Sequence, residues 1–274
     1  MKTMLNPGSS LSNPAERFLQ WNGKAESVKI KGSDEVEKEG GFLYYQDKDN
    51  DYEVVKLKLP FVIYPLGESM SIEGGMYDAT NKANNTFISS NEFGGWDEPI
   101  TVYERHIGDD HGVVIARGTY QDIKETVKAH KGKVRTNLYG LCSFSDKKII
   151  VRLQLGRSAG RALSDFRRKL GASFYERPLI ITGTEYKTTG SSEYAVPKFS
   201  SGEPYDDAAI KGLEDYAKTI SEYGNALQQK NLNSANQTVI TDETSDEEYE
   251  KEMSKEPEAS AEEEQAIDLS GVPF

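Results

Sequence analysis

The sequence predicts a mainly β fold carrying a few helices, and three observations predict it. Apolar residues alternate with polar ones over short runs bounded by Gly, Asn and Asp through the first half of the chain. Helical spacing replaces that alternation near residue 120 and again beyond residue 205. Past residue 231 the chain turns polar and then acidic, with too little apolar surface to order itself. At 274 residues it holds one large domain or two small ones.

The elements follow in order. Gly40-Gly41 breaks the chain before FLYYQ (42–46), and DKDND (47–51) reads as a turn. In EVVKLKLPFVIYPL (53–66), Val55, Leu57, Leu59, Phe61 and Ile63 share one strand face. Lys56, Lys58, Val62 and Tyr64 share the other, and Pro60 marks an edge or a bend. TFISS (86–90), ITVYERHI (100–107) and GVVIARG (112–118) are further strands. TYQDIKETVKAHKG (119–132) then spaces Tyr120, Ile123 and Val127 as a helix does, with Thr119 as cap and Gly132 as stop.

Strands resume with KVRTNLYGLCSF (133–144) and KKIIVRLQL (147–155), joined by a turn at Ser145-Asp146. Strands, one helix and two more strands is the order of an OB-like β-barrel. GRSAGRALSDFRRKLG (156–171) is a short basic helix or loop-helix, and the polar stretch 182–204 is a hairpin or a loop. Residues 206–230 are helical, with Ile210, Leu213, Ala217, Ile220, Gly224 and Leu227 in coiled-coil spacing. Ala217 and Gly224 weaken that seam, so docking onto the parent domain competes with joining two copies into a homo-oligomer. The expected plan is a flexible leader (1–20), an OB-like domain (21–204), a docking or oligomerisation helix (205–231) and a disordered acidic tail (232–274).

Charge is distributed unevenly along this plan. The net charge is −12, yet residues 117–177 carry 15 basic against 5 acidic side chains, and residues 242–274 carry 2 against 13. A +10 segment therefore shares a chain with a −11 tail. Cys142 is the only cysteine, so no internal disulfide or multi-cysteine metal site forms. No run reaches the roughly 18–20 apolar residues of a membrane span, and the start MKTMLNPGSSLSNPAE lacks a signal peptide's apolar core. The expectation is a soluble cytoplasmic protein with no membrane partner and no cofactor.

Catalytic signals are thin. His106 and His111 flank Asp109-Asp110, but a turn between strands explains HIGDDH better than a metal site does. DKDND lacks the later Gly and Glu of a calcium loop. Nucleophile, zinc and P-loop motifs are missing, so no enzyme is expected.

The basic segment carries a different chemistry. Lys133, Arg135, Asn137 and Tyr139 share one strand face, with Val134, Leu138 and Cys142 on the other. In the next strand Ile149, Val151, Leu153 and Leu155 form the inward face, opposite Arg152 and Gln154. Tyr103 shares a face with Arg105, and Arg117 ends the strand before the first helix. Lys56 and Lys58, Lys131 in the turn, and Arg157 and Arg161 on the loop-helix complete the candidate nucleic-acid-binding set. Interleaved cations and rings suit single strands, whose phosphates need positive charge and whose bases need flat partners. Trp21, Trp96, Tyr44, Tyr45 and Tyr103 are eligible stackers, and each is equally eligible for the core. A solvated sheet face with snorkelling Lys and Arg is the competing reading.

The chain closes...AEEEQAIDLSGVPF. A basic core, a long acidic segment and an apolar Val272-Pro273-Phe274 tip resemble the replicative single-stranded DNA-binding proteins, whose bacterial members end in Ile-Pro-Phe. FLQWNGK, VVKLKLPFVIYPL and the order helix, KVRTNLYGL, KKIIVRLQL, GRSAGRALSDF are similar to the bacteriophage members. Ser270 and Gly271 depart from the acidic residues usual beside the tip. The resemblance implies an OB core that coats single-stranded DNA in replication, recombination or repair without strong sequence preference. It further implies recruitment of replication and recombination proteins through Asp268, Val272, Pro273 and Phe274. An RNA-binding protein, or a viral structural or assembly protein with an acidic tail, are the alternatives.

Overall fold

The computed structural model describes residues 12–24, 28–29, 36–37, 40–47, 53–77, 80–81, 84–106, 112–144, 147–189 and 192–237. The strands before the first helix are β1 (Arg17–Asn22), β2 (Val28–Lys29), β3 (Val36–Glu37), β4 (Phe42–Asp47), β5 (Glu53–Lys56), β6 (Phe61–Met76), β7 (Thr86–Ser90), β8 (Ile100–His106) and β9 (Val113–Gly118). Helix α1 (Tyr120–Ala129) precedes β10 (Lys133–Phe144) and β11 (Lys147–Gly156). Helix α2 (Arg157–Leu170), a 3-10 stretch at Gly171–Glu176, the hairpin β12 (Leu179–Thr189) and β13 (Ser192–Ser201), and helix α3 (Asp207–Gln237) follow.

One large sheet dominates, in the order β5-β4-β1-β11-β10-β6-β7-β8-β9, with β12 joining at the start of β6 and β13 beyond it. Most pairings are antiparallel, while β1 runs parallel to β11 with Arg17 opposite Val151. The mainly β expectation holds. Closure does not: β5 and β9 end the path without pairing to each other, so the sheet is open. Strand β1 begins at Arg17, so residues 17–20, expected in the leader, are part of the sheet. Helix α3 runs on to Gln237, so residues 232–237, expected in the disordered tail, are helical. The rest of that tail from 238 onward, HIGDDH beyond His106 and DKDND beyond Asp47 lie outside the described residues.

Alternation sorts the side chains onto two faces. On the first, Leu138 and Cys142 of β10 join Ile149, Val151, Leu153 and Leu155 of β11 in a core closed by Ala159 and Leu163 of α2. Beside it, Ile72, Ile88, Ile100 and Val102 pack under Ile123 and Val127 of α1. Thr119 starts α1, its N–H donating to Asp122 Oδ2 at 3.0 Å and its hydroxyl to the same oxygen at 2.6 Å. Those bonds hold the Asp122 carboxyl below the usual carboxylate range. Cys142 is buried, and desolvation pushes its thiol upward, which fits a packing role.

Strand β6 changes face partway. Its register against β10 shifts between Tyr139/Gly67 and Gly140/Pro65, a bulge that absorbs Leu66. Before it the odd residue Ile63 points into the core, and after it the even residue Ile72 does. The strand so bent serves β12, β10 and β7 in turn.

Candidate nucleic-acid interface

The second face of the sheet divides into an open half and a covered half. The open half is a groove of about 560 Å³ that crosses seven neighbouring strands from β4 to β8. At about 4.8 Å between strands it spans at most roughly 29 Å. Arg105, Lys131, Lys133, Arg135, Arg152 and Arg157 line it, together with Phe18, Tyr77 and Phe87. Glu73 is the single carboxylate among the described lining residues.

Local structure explains how these side chains meet. In β10 the odd positions face the groove, so Lys133 and Arg135 stand two residues apart on one side. Lys133 lies opposite Glu73 of β6, and Arg135 opposite Ser71 and Gly156. A Cβ at Gly156 would collide with the Arg135 guanidinium, so this glycine leaves the space the guanidinium occupies. Gly74 permits a second close approach, since its Cβ would lie 2.5 Å from the Lys131 carbonyl oxygen. That contact seats the turn after α1 on β6 and brings Lys131 to the rim. Phe87 of β7 faces Arg105 of β8 directly across the ladder.

Two of the cations are held by acids. The Arg152 guanidinium forms an ion pair with Glu92 and lies 4.4 Å from the Phe18 ring centroid, a cation–π distance. Arg135 Nε is 3.6 Å from Glu73 Oε2. For Arg105, Lys131, Lys133 and Arg157 no described carboxylate lies within ion-pair distance, so among the described residues the groove carries an excess of positive charge.

The covered half lies under α3. Tyr139, Leu141 and Ile150 of the sheet pack there with Ile220, and Leu213, Tyr216 and Tyr223 of the helix close over them. The Tyr139 hydroxyl donates to Glu92 Oε2 at 2.8 Å and accepts from Asn13 Nδ2 at 2.8 Å. Ser69 Oγ donates to Glu92 Oε2 at 2.6 Å, and Asn231 Nδ2 of α3 donates to the Glu92 carbonyl at 2.9 Å. Burial, then the nearby Glu92 charge, pushes the Tyr139 phenol far up, so it stays a neutral donor.

The expected site residues therefore separate. Arg105, Lys131, Lys133, Arg135, Arg152 and Arg157 come together in the groove. Lys56 lies opposite Tyr44 on edge strand β5, on the same face one strand beyond the groove, with its Nζ 4.8 Å from the Phe42 ring centroid. Tyr103 and Arg117 sit on β8 and β9 outside the lining, Lys58 is exposed in the turn after β5, and Arg161 is exposed on α2. Tyr139 is a correction: it shares the strand face of Lys133 as expected, but α3 covers its ring, leaving 2% of the residue accessible. The docking reading of residues 206–230 describes α3, with Leu213 and Ile220 inward while Ile210 stays exposed.

Among the eligible stackers, Trp21 and Tyr45 pack against the core, and Trp21 Nε1 donates to the Ala195 carbonyl at 3.0 Å. Trp96 is largely exposed beside Tyr120. The groove instead uses Phe18, Tyr77 and Phe87, which a linear pattern does not single out. The alternation Phe18-Leu19-Gln20-Trp21 and Phe87-Ile88-Ser89 carries the signal for the first and third.

Among the described residues no group of His, Cys, Asp and Glu is placed to hold a metal ion, and no helix is long and apolar enough to cross a membrane. Set against protein-family models, curated proteins and solved structures, the chain matches none of them.

Proposed function

We propose that this protein binds single-stranded DNA along the groove, without strong sequence preference, and coats it during replication, recombination or repair. The observation that carries the reading is the meeting of six cations and three aromatic rings in one open groove. Phosphates meet Lys131, Lys133, Arg135, Arg157 and Arg105, while bases stack on Phe18, Tyr77 and Phe87 at roughly 1–3 kcal/mol each. Supporting an OB-like core are the long bent strand β6, shared by β7 and β10, and helix α1 ahead of the last two core strands. OB-folds are partly open, so the unpaired sheet ends are compatible with that reading. The −11 segment 242–274 competes with the strand for the same groove and recruits replication and recombination proteins when displaced.

Fluorescence anisotropy of labelled oligo-dT, across a salt series and with duplex DNA and oligo-U as competitors, tests this. Tight, salt-sensitive binding that prefers the DNA single strand is expected, and it strengthens in a version ending at residue 241. Preference for oligo-U replaces DNA with RNA as the ligand. Absence of binding at low salt defeats the nucleic-acid reading.

A further inference from the structure

A carboxylate in the middle of a phosphate-binding groove is adverse for binding the backbone, so Glu73 requires a reason to be there. It is held with care. Gln154 Nε2 of β11 reaches across β10 to donate to Glu73 Oε1 at 2.6 Å, and Arg135 Nε stands 3.6 Å from Oε2. Gln154 Nε2 also faces Asn137 Oδ1 at 3.4 Å, and Asn137 Nδ2 donates to Ser69 and Ser71 Oγ, each at 3.3 Å. Of these amides Gln154 alone donates to Glu73, while Asn137 holds Gln154 in place, and the Glu73 carboxylate so fixed lines the groove among the cations. Each carboxylate oxygen has two lone-pair sites, so acceptor capacity remains after Gln154 and Arg135 are counted.

We propose that Glu73 reads the Watson–Crick edge of a bound base and favours bases carrying an exocyclic amino group over thymine. This rests on the single-strand reading of the groove. Cytosine offers its N4 amino group, which a carboxylate accepts. Thymine presents the O4 carbonyl in the same position, whose partial negative charge the carboxylate repels, and its one donor on that edge, N3–H, is flanked by two carbonyls. The consequence is a bias in base composition, fully compatible with coating, since it acts at one base per groove and leaves the phosphate contacts untouched.

The sharpest probe pair is oligo-(5-methyl-dC) against oligo-dT of equal length. These differ only along the base edge in question, so stacking and backbone are matched. Binding is measured by anisotropy with the full chain at mildly alkaline pH, where cytosine is unprotonated. Wild type is expected to favour 5-methyl-dC by about fivefold, the low end for a base contact at a half-open site. Glu73→Gln, nearly isosteric, is expected to bring that ratio close to one while raising affinity for oligo-dT. Equal affinity of wild type for the two probes overturns the inference without using any variant. So does a Glu73→Gln variant that keeps the fivefold ratio, whether both affinities rise (Glu73 merely repels phosphate) or both fall (it merely orients Arg135). Failure of wild type to bind either probe overturns the single-strand reading itself, and this inference with it.

Discussion

Strand β10 shows two fates for one strand face. At its start Lys133 and Arg135 stand in an open groove with Arg105, Arg152 and Phe18. Six residues on from Lys133, the same face presents Tyr139 to Glu92 and Tyr223, and then Leu141 to the underside of α3. Alternation places all four on one side of the sheet and says nothing about what covers that side. Arg152 links the halves, its guanidinium paired with Glu92 at the edge of the covered region while it lies over Phe18 in the groove. On the proposed reading, charge left open serves binding, while charge enclosed with partners serves the docking of α3.

The largest expected effect lies in the covered half. Replacing Glu92 with Ala leaves Arg152 partly buried without its counter-ion and deprives Tyr139 and Ser69 of an acceptor. A loss of about 3 kcal/mol in urea unfolding is expected. A loss below about 0.5 kcal/mol would mean that the node is incidental to the docking of α3.

The open half responds in binding instead. Lys133→Ala combined with Arg135→Ala is expected to weaken oligo-dT about thirtyfold, at ~1 kcal/mol for each cation–phosphate interaction removed. The salt slope falls by about 1.4, because two single-strand phosphates are no longer neutralised. Unfolding free energy falls by no more than about 1 kcal/mol, well below the Glu92 variant, because Lys133 and the partly buried Arg135 carry no enclosed charge network. A drop in stability in place of affinity would erase the contrast between the halves.

Tyr139→Phe sharpens it further. Removing the hydroxyl costs about 1 kcal/mol of stability and leaves oligo-dT affinity unchanged, since the ring is not in the groove. The same residue makes the fold sensitive to base. Its folded phenol ionises at a higher pH than the unfolded one, so the native state holds more protons above about pH 10, the ordinary tyrosine value. Tyr139 therefore contributes stability that is full below that pH and declines as pH rises. Tyr205 and Tyr223, raised mainly by burial, act in the same direction. A pH series of unfolding curves is expected to decline less steeply above pH 10 in the Phe variant than in wild type.

The smallest effect is expected from Gly156→Ala. The new methyl pushes the flexible end of Arg135, and no backbone atom, so affinity falls about threefold at ~0.7 kcal/mol and the fold tolerates it. Unfolding curves and anisotropy on the same preparation separate these outcomes.

Much of the architecture is legible in the sequence. Strands β7, β10 and β11, helix α1 with its Thr119 cap and the inward face of Ile149, Val151, Leu153 and Leu155 all follow from alternation and capping chemistry. The second half of β6 does not. Gly67, Ser69, Ser71, Gly74 and Gly75 resemble turn residues, and the bulge at Leu66 reverses the parity that a single alternation would need. That stretch supplies Glu73, Gly74 and Gly75 to the groove. The cations are legible because positive charge is concentrated in residues 117–177. For Phe18 and Phe87 alternation shows only a face opposite the buried Leu19 and Ile88, because a ring pointing to a groove and one pointing to a second core look alike in a linear pattern. Tyr139 fails for the converse reason: its face is right, and its cover comes from a helix some seventy residues further along the chain.

The most direct measurement is hydrogen exchange of the full chain with and without saturating oligo-dT. Slowed exchange in the backbone of residues 86–89, 131–135 and 152–157, with α3 at 207–237 unchanged, is the predicted result. Protection spread along α3 with none in those groove segments would contradict it, and would move the ligand to the covered half of the sheet.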